Sequence, residues 1–139
     1  MPLFRSRAWT TRRVSRYPTA LQVLVVDDNE NAAEALAAYL FHENFDCRTA
    51  FDGQQAVASA KTWIPQIIVM DISMPGCTGF DAARALRNDR RTAGIVILAF
   101  TALDEADVRK EAGEHEFDGY CQKGQPPTSL VRLIRTFMP

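Results

Sequence analysis

No apolar run in this sequence approaches the ~20 residues that a helix needs to cross a bilayer, which excludes a helical membrane span. Cysteine is sparse and poorly spaced for chemistry. Cys47, Cys77 and Cys121 form no CxxC or metal-ligand pattern, and their odd number argues against a disulfide framework. They suit a reducing cytoplasmic setting, with Cys47 and Cys121 as small core hydrophobes. Cys77 has no cationic neighbour in sequence to stabilise a thiolate and reads as an ordinary loop thiol. Histidine is limited to His42 and His115, whose polar helical surroundings fit neither a phosphorylated histidine nor a metal ligand. An excess of one charge is missing too. The chain carries −1 overall, so its bulk gives no sign of direct nucleic-acid binding. What remains is 139 residues, 47% hydrophobic and 24% charged, enough for one domain with its own core.

The near-neutral total hides an asymmetry. Residues 1–20 hold Arg5, Arg7, Arg12, Arg13 and Arg16 and no acid, so this arm carries +5 against −6 for the rest. Such an arm suits contact with an acidic surface or with nucleic acid. Its Arg-rich, acid-poor composition also resembles a transit peptide, without the apolar centre of a secretory signal. The expectation is a disordered leader, or a start placed upstream of the true one, because terminal segments are usually untethered. Trp9 and Phe4 are the residues that would anchor it if a groove received them.

The remainder, 21–139, is organised around Gln66-Ile67-Ile68-Val69-Met70-Asp71, followed by Ile72-Ser73-Met74-Pro75-Gly76. Its apolar, partly β-branched run predicts a strand buried on both faces, ended by a carboxylate and a Pro-Gly turn. Leu21 to Val26 is a second such strand, ending on Asp27-Asp28. Asn29 then caps a helix from Glu30 to about Glu43, with Ala33, Leu36, Ala37 and Leu40 in one stripe. Residues 45–50 alternate like a short strand, and Gln54 to Lys61 follows as a small-residue helix. Phe80 to Arg87 is helical, with Phe80, Ala83 and Leu86 inward. Gly94 to Phe100 is a buried strand ending on Thr101. A charged helix runs from Asp104 to about Glu114, a weaker strand spans Phe117 to Gln122 and ends on Lys123, and a last helix begins at Pro126-Pro127. Strand and helix thus alternate five times. That pattern predicts a doubly wound, (βα)5 flavodoxin-like α/β domain with a parallel five-stranded sheet in the order 2-1-3-4-5. Its switch point lies between the strands ending at Asp27-Asp28 and at Asp71.

The strand ends deliver Asp27, Asp28, Asp71, Thr101 and Lys123 to one edge. Three converging carboxylates repel one another and need a cation, and all-oxygen ligation suits Mg2+, with Mn2+ as an alternative. A hydroxyl and an ammonium opposite the acids are suited to the oxygens of an incoming phosphoryl group. These are the parts required to move a phosphoryl group onto a carboxylate.

On these residues the chain resembles the receiver domains of the two-component response-regulator family, which includes the chemotaxis regulator CheY. The resemblance covers about residues 21–139. It rests on Val25-Val26-Asp27-Asp28-Asn29, the Asp71-Ile72-Ser73-Met74-Pro75-Gly76 motif, Thr101-Ala102 and Lys123. Thr101 follows Asp71 by 30 positions and Lys123 follows Thr101 by 22, as receivers typically have. The resemblance implies that Asp71 is the phosphoacceptor, taking its phosphoryl group from a sensor histidine kinase or a histidine phosphotransfer protein. It implies that Asp28 ligates Mg2+ directly, that Asp27 acts partly through water, and that the Ser73 carbonyl supplies a further ligand. Thr101 and Lys123 would each bind a phosphoryl oxygen. Tyr120 matches the switch aromatic that turns inward as the threonine moves.

Two departures fall outside the acidic triad. Receivers usually follow the lysine with a proline across a cis bond; Gly124 stands here, so a trans bond and a more mobile loop are expected. Receivers also commonly place Gly two residues before the Asp of the last strand, where this chain has Glu116. A positive φ there would strain Glu116 or rearrange the turn. Beside the site, Ser73 and Leu103 occupy positions that influence water access in this family. An apolar Leu103 is expected to slow decay of the phosphorylated state.

The expectation is a single-domain receiver that acts on a downstream protein target, as a monomer or a phosphorylation-dependent dimer. It would promote its own phosphorylation, and as a further expectation its dephosphorylation, without being a turnover enzyme. Two competitors remain. A phosphohydrolase with an aspartyl nucleophile would want an acid where Ser73 stands. A phosphorylation-independent receiver-like interaction module is left room by Gly124 and Glu116.

Overall fold

A computed structural model describes residues 5–14 and 20–139. A short strand β1 (Ser6–Ala8) precedes five alternating strand–helix units. These are β2 (Gln22–Val26) and α1 (Glu30–His42), β3 (Asp46–Ala50) and α2 (Gly53–Trp63), and β4 (Ile67–Met70) and α3 (Gly79–Arg87). β5 (Val96–Thr101) with α4 (Glu105–Glu111) and β6 (Gly119–Gln122) with α5 (Pro127–Thr136) complete the set. The sheet runs β1-β6-β5-β4-β2-β3, and every pairing is parallel except β1 with β6. Its five parallel strands have the expected 2-1-3-4-5 order, and β1 adds a sixth at the edge.

Alternation along the strands sends successive side chains to opposite faces, and helices cover both. Leu24, Val26, Ile68, Met70, Ile97, Ala99 and Tyr120 enter one core with residues of α2 and α3. Val23, Val25, Ile67, Val69, Val96, Leu98 and Cys121 enter the other with α1 and α5. That is why these strands read as continuous apolar runs. The helical stripes fall as expected: Ala33 and Leu40, Ala56 and Ala60, Ala83 and Leu86, and Leu130, Leu133, Ile134 and Phe137 are buried. Asn29 caps α1 by accepting from the Ala32 N–H at 3.0 Å.

Several expectations need correction. The arm is not an untethered leader over residues 5–14. Ser6, Arg7 and Ala8 pair with Cys121, Tyr120 and Gly119, and the Val14 N–H donates to the Phe137 carbonyl at 2.8 Å. Phe4 and Arg16 lie outside the described residues. The charged helix stops at Glu111 rather than 114, because Ala112 turns extended and the Glu116 carboxylate takes the Gly113 N–H. The positive φ considered for Glu116 falls on His115 instead (φ 72°). The turn has rearranged, leaving Glu116 buried with its carboxylate 2.9 Å from the Arg84 guanidinium. The last strand begins at Gly119, two residues later than expected, although the Asp118 N–H already donates to the Ile97 carbonyl at 2.7 Å. No cis peptide bond occurs among the described residues, so Lys123–Gly124 is trans, and Gly124 adopts φ 97°.

Candidate functional site

The carboxyl ends of β2 and β4 are neighbours in the sheet, and the crevice of an open α/β sheet lies there. The parallel ladder continues past both strands: the Asp71 N–H donates to the Val26 carbonyl at 2.9 Å, and the Asp27 N–H to the Ala50 carbonyl at 3.1 Å. Backbone pairing therefore fixes where both acids stand. On the other side of Asp71, the Lys123 N–H donates to the Thr101 carbonyl at 2.8 Å, tying the ends of β5 and β6 together.

Ligand oxygens of Asp27, Asp28 and Asp71 all lie within 4.8 Å of one another. Asp27 and Asp71 are buried, whereas Asp28 is exposed. The Lys123 ammonium reaches in to 2.8 Å from Asp27 Oδ2 and 3.6 Å from Asp71 Oδ1. Asp27 Oδ1 accepts the Asn29 N–H at 2.9 Å, which orients its carboxylate. Burial pushes the Asp71 carboxyl up to about 6; Lys123 opposes this, while Asp27 and Asp28 add to it. One ammonium thus only partly offsets three acids. An all-oxygen cluster, part buried and part open to solvent, fits a hard divalent cation that keeps some of its own water.

Glycine packs the loop beneath the acceptor. A Cβ on Gly79 would stand 2.3 Å from the Asp71 carbonyl oxygen, and the Gly79 N–H donates to the Ile72 carbonyl at 2.9 Å. No other residue lets α3 begin so close to β4. Thr78 then starts α3 with a reciprocal capping box to Asp81.

Asp27, Asp28, Asp71 and Lys123 are therefore brought together in the crevice. Thr101 is buried as the last residue of β5, and its hydroxyl accepts the Leu103 N–H at 3.2 Å. Ser73 is exposed, two residues past Asp71. Tyr120 is buried, 1% exposed, and its hydroxyl donates to the Leu103 carbonyl. Burial raises the Cys47 thiol to about 12 and also raises those of Cys77 and Cys121, so none is an activated thiolate.

A family model described as "Response regulator receiver domain" matches residues 23–135. The chain belongs to the response-regulator receiver family. This receiver is 42% identical over 115 residues to response regulator PleD of Caulobacter vibrioides, covering 83% of the chain but 25% of that protein. It is 32% identical over 114 residues to the DNA-binding response regulator MtrA of Mycolicibacterium smegmatis, covering 82% of the chain and 49% of that protein. The receiver thus spans only a quarter to a half of the length of these relatives. Among solved structures it resembles chemotaxis protein CheY4 of Vibrio cholerae, with a TM-score of 0.80 and 25% identity over 86% of this chain and 99% of that one. A receiver domain from Bermanella marisrubri matches with a TM-score of 0.75 and 28% identity, over 86% of this chain and 98% of that one.

Sequence reasoning missed two clusters on the β6 side. Arg7, Trp9 and Glu105 gather over Tyr120. Asp118, fully buried, accepts from Thr10, Arg12, Arg87 and the Ile97 N–H. Only the arm's lone Trp9 hinted at the first. Nothing in the local sequence marks the second, because its members come from four separate stretches of the chain.

Proposed function

We propose that this receiver accepts a phosphoryl group on Asp71 from a phosphohistidine of a sensor kinase or phosphotransfer protein in the cytoplasm. The observation that carries the reading is a buried carboxylate at the end of β4, flanked by two further acids and faced by Lys123. An Asp71 oxygen attacks phosphorus in line with the donor nitrogen. The N–P bond breaks, an O–P bond forms, and the electron pair leaves with the imidazole. Asp71 attacks as the carboxylate, the dominant form above pH 6. Lys123 shifts from the carboxylates toward the transferred oxygens, and the Thr101 hydroxyl donates to another. Asp27, Asp28, Asp71 and the Ser73 carbonyl would hold Mg2+, which supplies charge neutralisation at the phosphoryl oxygens. The acyl phosphate then acts through Thr101 and Tyr120 on a downstream protein; the chain drives its own modification rather than turning over a substrate.

Intact-protein mass spectrometry after incubation with acetyl phosphate and Mg2+ tests this. One added phosphoryl group is expected, absent from Asp71→Ala and from a chelated sample. A second reading, a phosphorylation-independent interaction module, is favoured by the β6 side, where Gly124 follows Lys123 at φ 97° and the turn before the strand is rearranged around Glu116. Failure to gain mass or to bind beryllofluoride, in a chain folded by circular dichroism, would select it.

A further inference from the structure

The arm does more than cover an edge. Trp9 stacks on Tyr120 with ring centroids 5.9 Å apart and planes 2° from parallel. Its indole N–H donates to Glu105 Oε2 at 2.7 Å, and the Arg7 guanidinium donates to the same oxygen at 2.6 Å. The Arg109 guanidinium lies 4.3 Å from the Trp9 ring centroid. Backbone bonds hold the indole in place: the Trp9 and Thr10 N–H groups both donate to the Asp118 carbonyl, at 2.6 and 3.1 Å. The Arg12 and Thr10 side chains hold the Asp118 carboxylate from the same side.

Below the indole runs a short chain of bonds to the crevice. The Tyr120 hydroxyl donates to the Leu103 carbonyl, and the Leu103 N–H donates to the Thr101 hydroxyl. Leu103 thus grips the end of β5 with one backbone group and the switch ring with the other. An outward swing of Tyr120 breaks its bond to Leu103 and its stack with Trp9 together. The ring is 1% exposed with the arm in place, so it cannot reach solvent while the indole stays docked.

We propose that residues 5–14 form an intrachain clamp that holds Tyr120 inward, so that arm docking and occupancy of the Asp71 site favour one another. The occupant of the β6 edge and of the face beside α4 is this chain's own arm. Because binding linkage is reciprocal, a docked arm strengthens phosphoryl binding by the same factor that a loaded site strengthens docking. A partner that needs this face must displace Trp9 first. The second half of the proposal rests on Asp71 being the acceptor; the first half does not.

The test uses the full chain labelled with 3-fluorotyrosine, with the Tyr120 resonance assigned through Tyr120→Phe. Fluorine spectra of the unsubstituted chain, Trp9→Ala and Glu105→Ala are compared with and without beryllofluoride and Mg2+. One inward Tyr120 signal is expected in the unsubstituted chain. Glu105→Ala should shift or split it without the probe, and the probe should restore it; Trp9→Ala, which loses the indole's ring current whatever Tyr120 does, is judged by its affinity for the probe. Affinity for the probe should fall about fivefold or more in Trp9→Ala. Glu105→Ala removes the anchor and leaves the stacked ring intact, which guards against a variant that simply misfolds. An unchanged Tyr120 signal in folded Glu105→Ala would overturn the clamp. If no chain binds beryllofluoride, the acceptor reading and the coupling to Asp71 fail, while the probe-free spectra still judge the clamp.

Discussion

Asp71 is held where its ionisation costs stability. Its folded value of about 6 lies above its ordinary 3.8, so the native state keeps this proton more tightly than the unfolded chain. The stability tied to the group is complete below about pH 4 and is lost as pH rises through about 6. Asp71→Asn should therefore stabilise the metal-free protein above neutrality, by at most about 3 kcal/mol and by less than that because solvent in the partly open crevice screens the group, and confer nothing near pH 4. Urea titrations in a chelator at the two pH values check this. Added Mg2+ should narrow the gap by binding the native carboxylates. Leu103 lies two residues past Thr101, the last residue of β5. It is 36% exposed, and on the proposed function an apolar group there would leave water attacking the acyl phosphate without a partner. Leu103→Glu should hasten decay of the acyl phosphate several-fold, read by loss of the phosphorylated mass over time.

Among the elements, the junction of β4 and α3 has the least slack. Gly79 lets the first turn of α3 lie on the Asp71 carbonyl, and a methyl group at 2.3 Å from backbone oxygen cannot be absorbed by a rotamer change. Gly79→Ala should cost about 1–3 kcal/mol and shift Asp71 relative to Asp27. A lower urea midpoint together with weaker Mg2+ binding is the expected result. A variant as stable as the parent would show that the loop moves freely. The apolar runs, the Pro-Gly turn and the Asn29 cap made most elements legible in advance. The end of α4 was not legible, since its terminus depends on a carboxylate, Glu116, that folds back across a turn.

Across the whole molecule, a body of charge −6 carries an arm of charge +5. The pairs that fasten the arm differ in setting. Arg7 with Glu105 is partly exposed, whereas Arg12 meets an Asp118 carboxylate that is fully buried. Screening weakens the first far more than the second. Hydrogen exchange in rising salt should strip protection from the β1 amides while those of β5 keep theirs. Equal loss at both strands would mean that the arm and the body unfold as one unit.

Periodicity and turn residues sufficed for five strands, their order and the edge at which Asp27, Asp28, Asp71 and Lys123 meet, with Thr101 at the end of the neighbouring strand. The reason is physical: the central strands, buried on both faces, must be apolar throughout, so polar residues survive only where those runs end, while the half-exposed edge strand β3 alternates. The fate of the arm needed three dimensions. Its ten described residues have no periodicity of their own and gain order from backbone pairing with β6, a stack on Tyr120 and the buried Asp118. Each of those partners lies about a hundred positions away in the chain, and only the closed sheet brings them within reach.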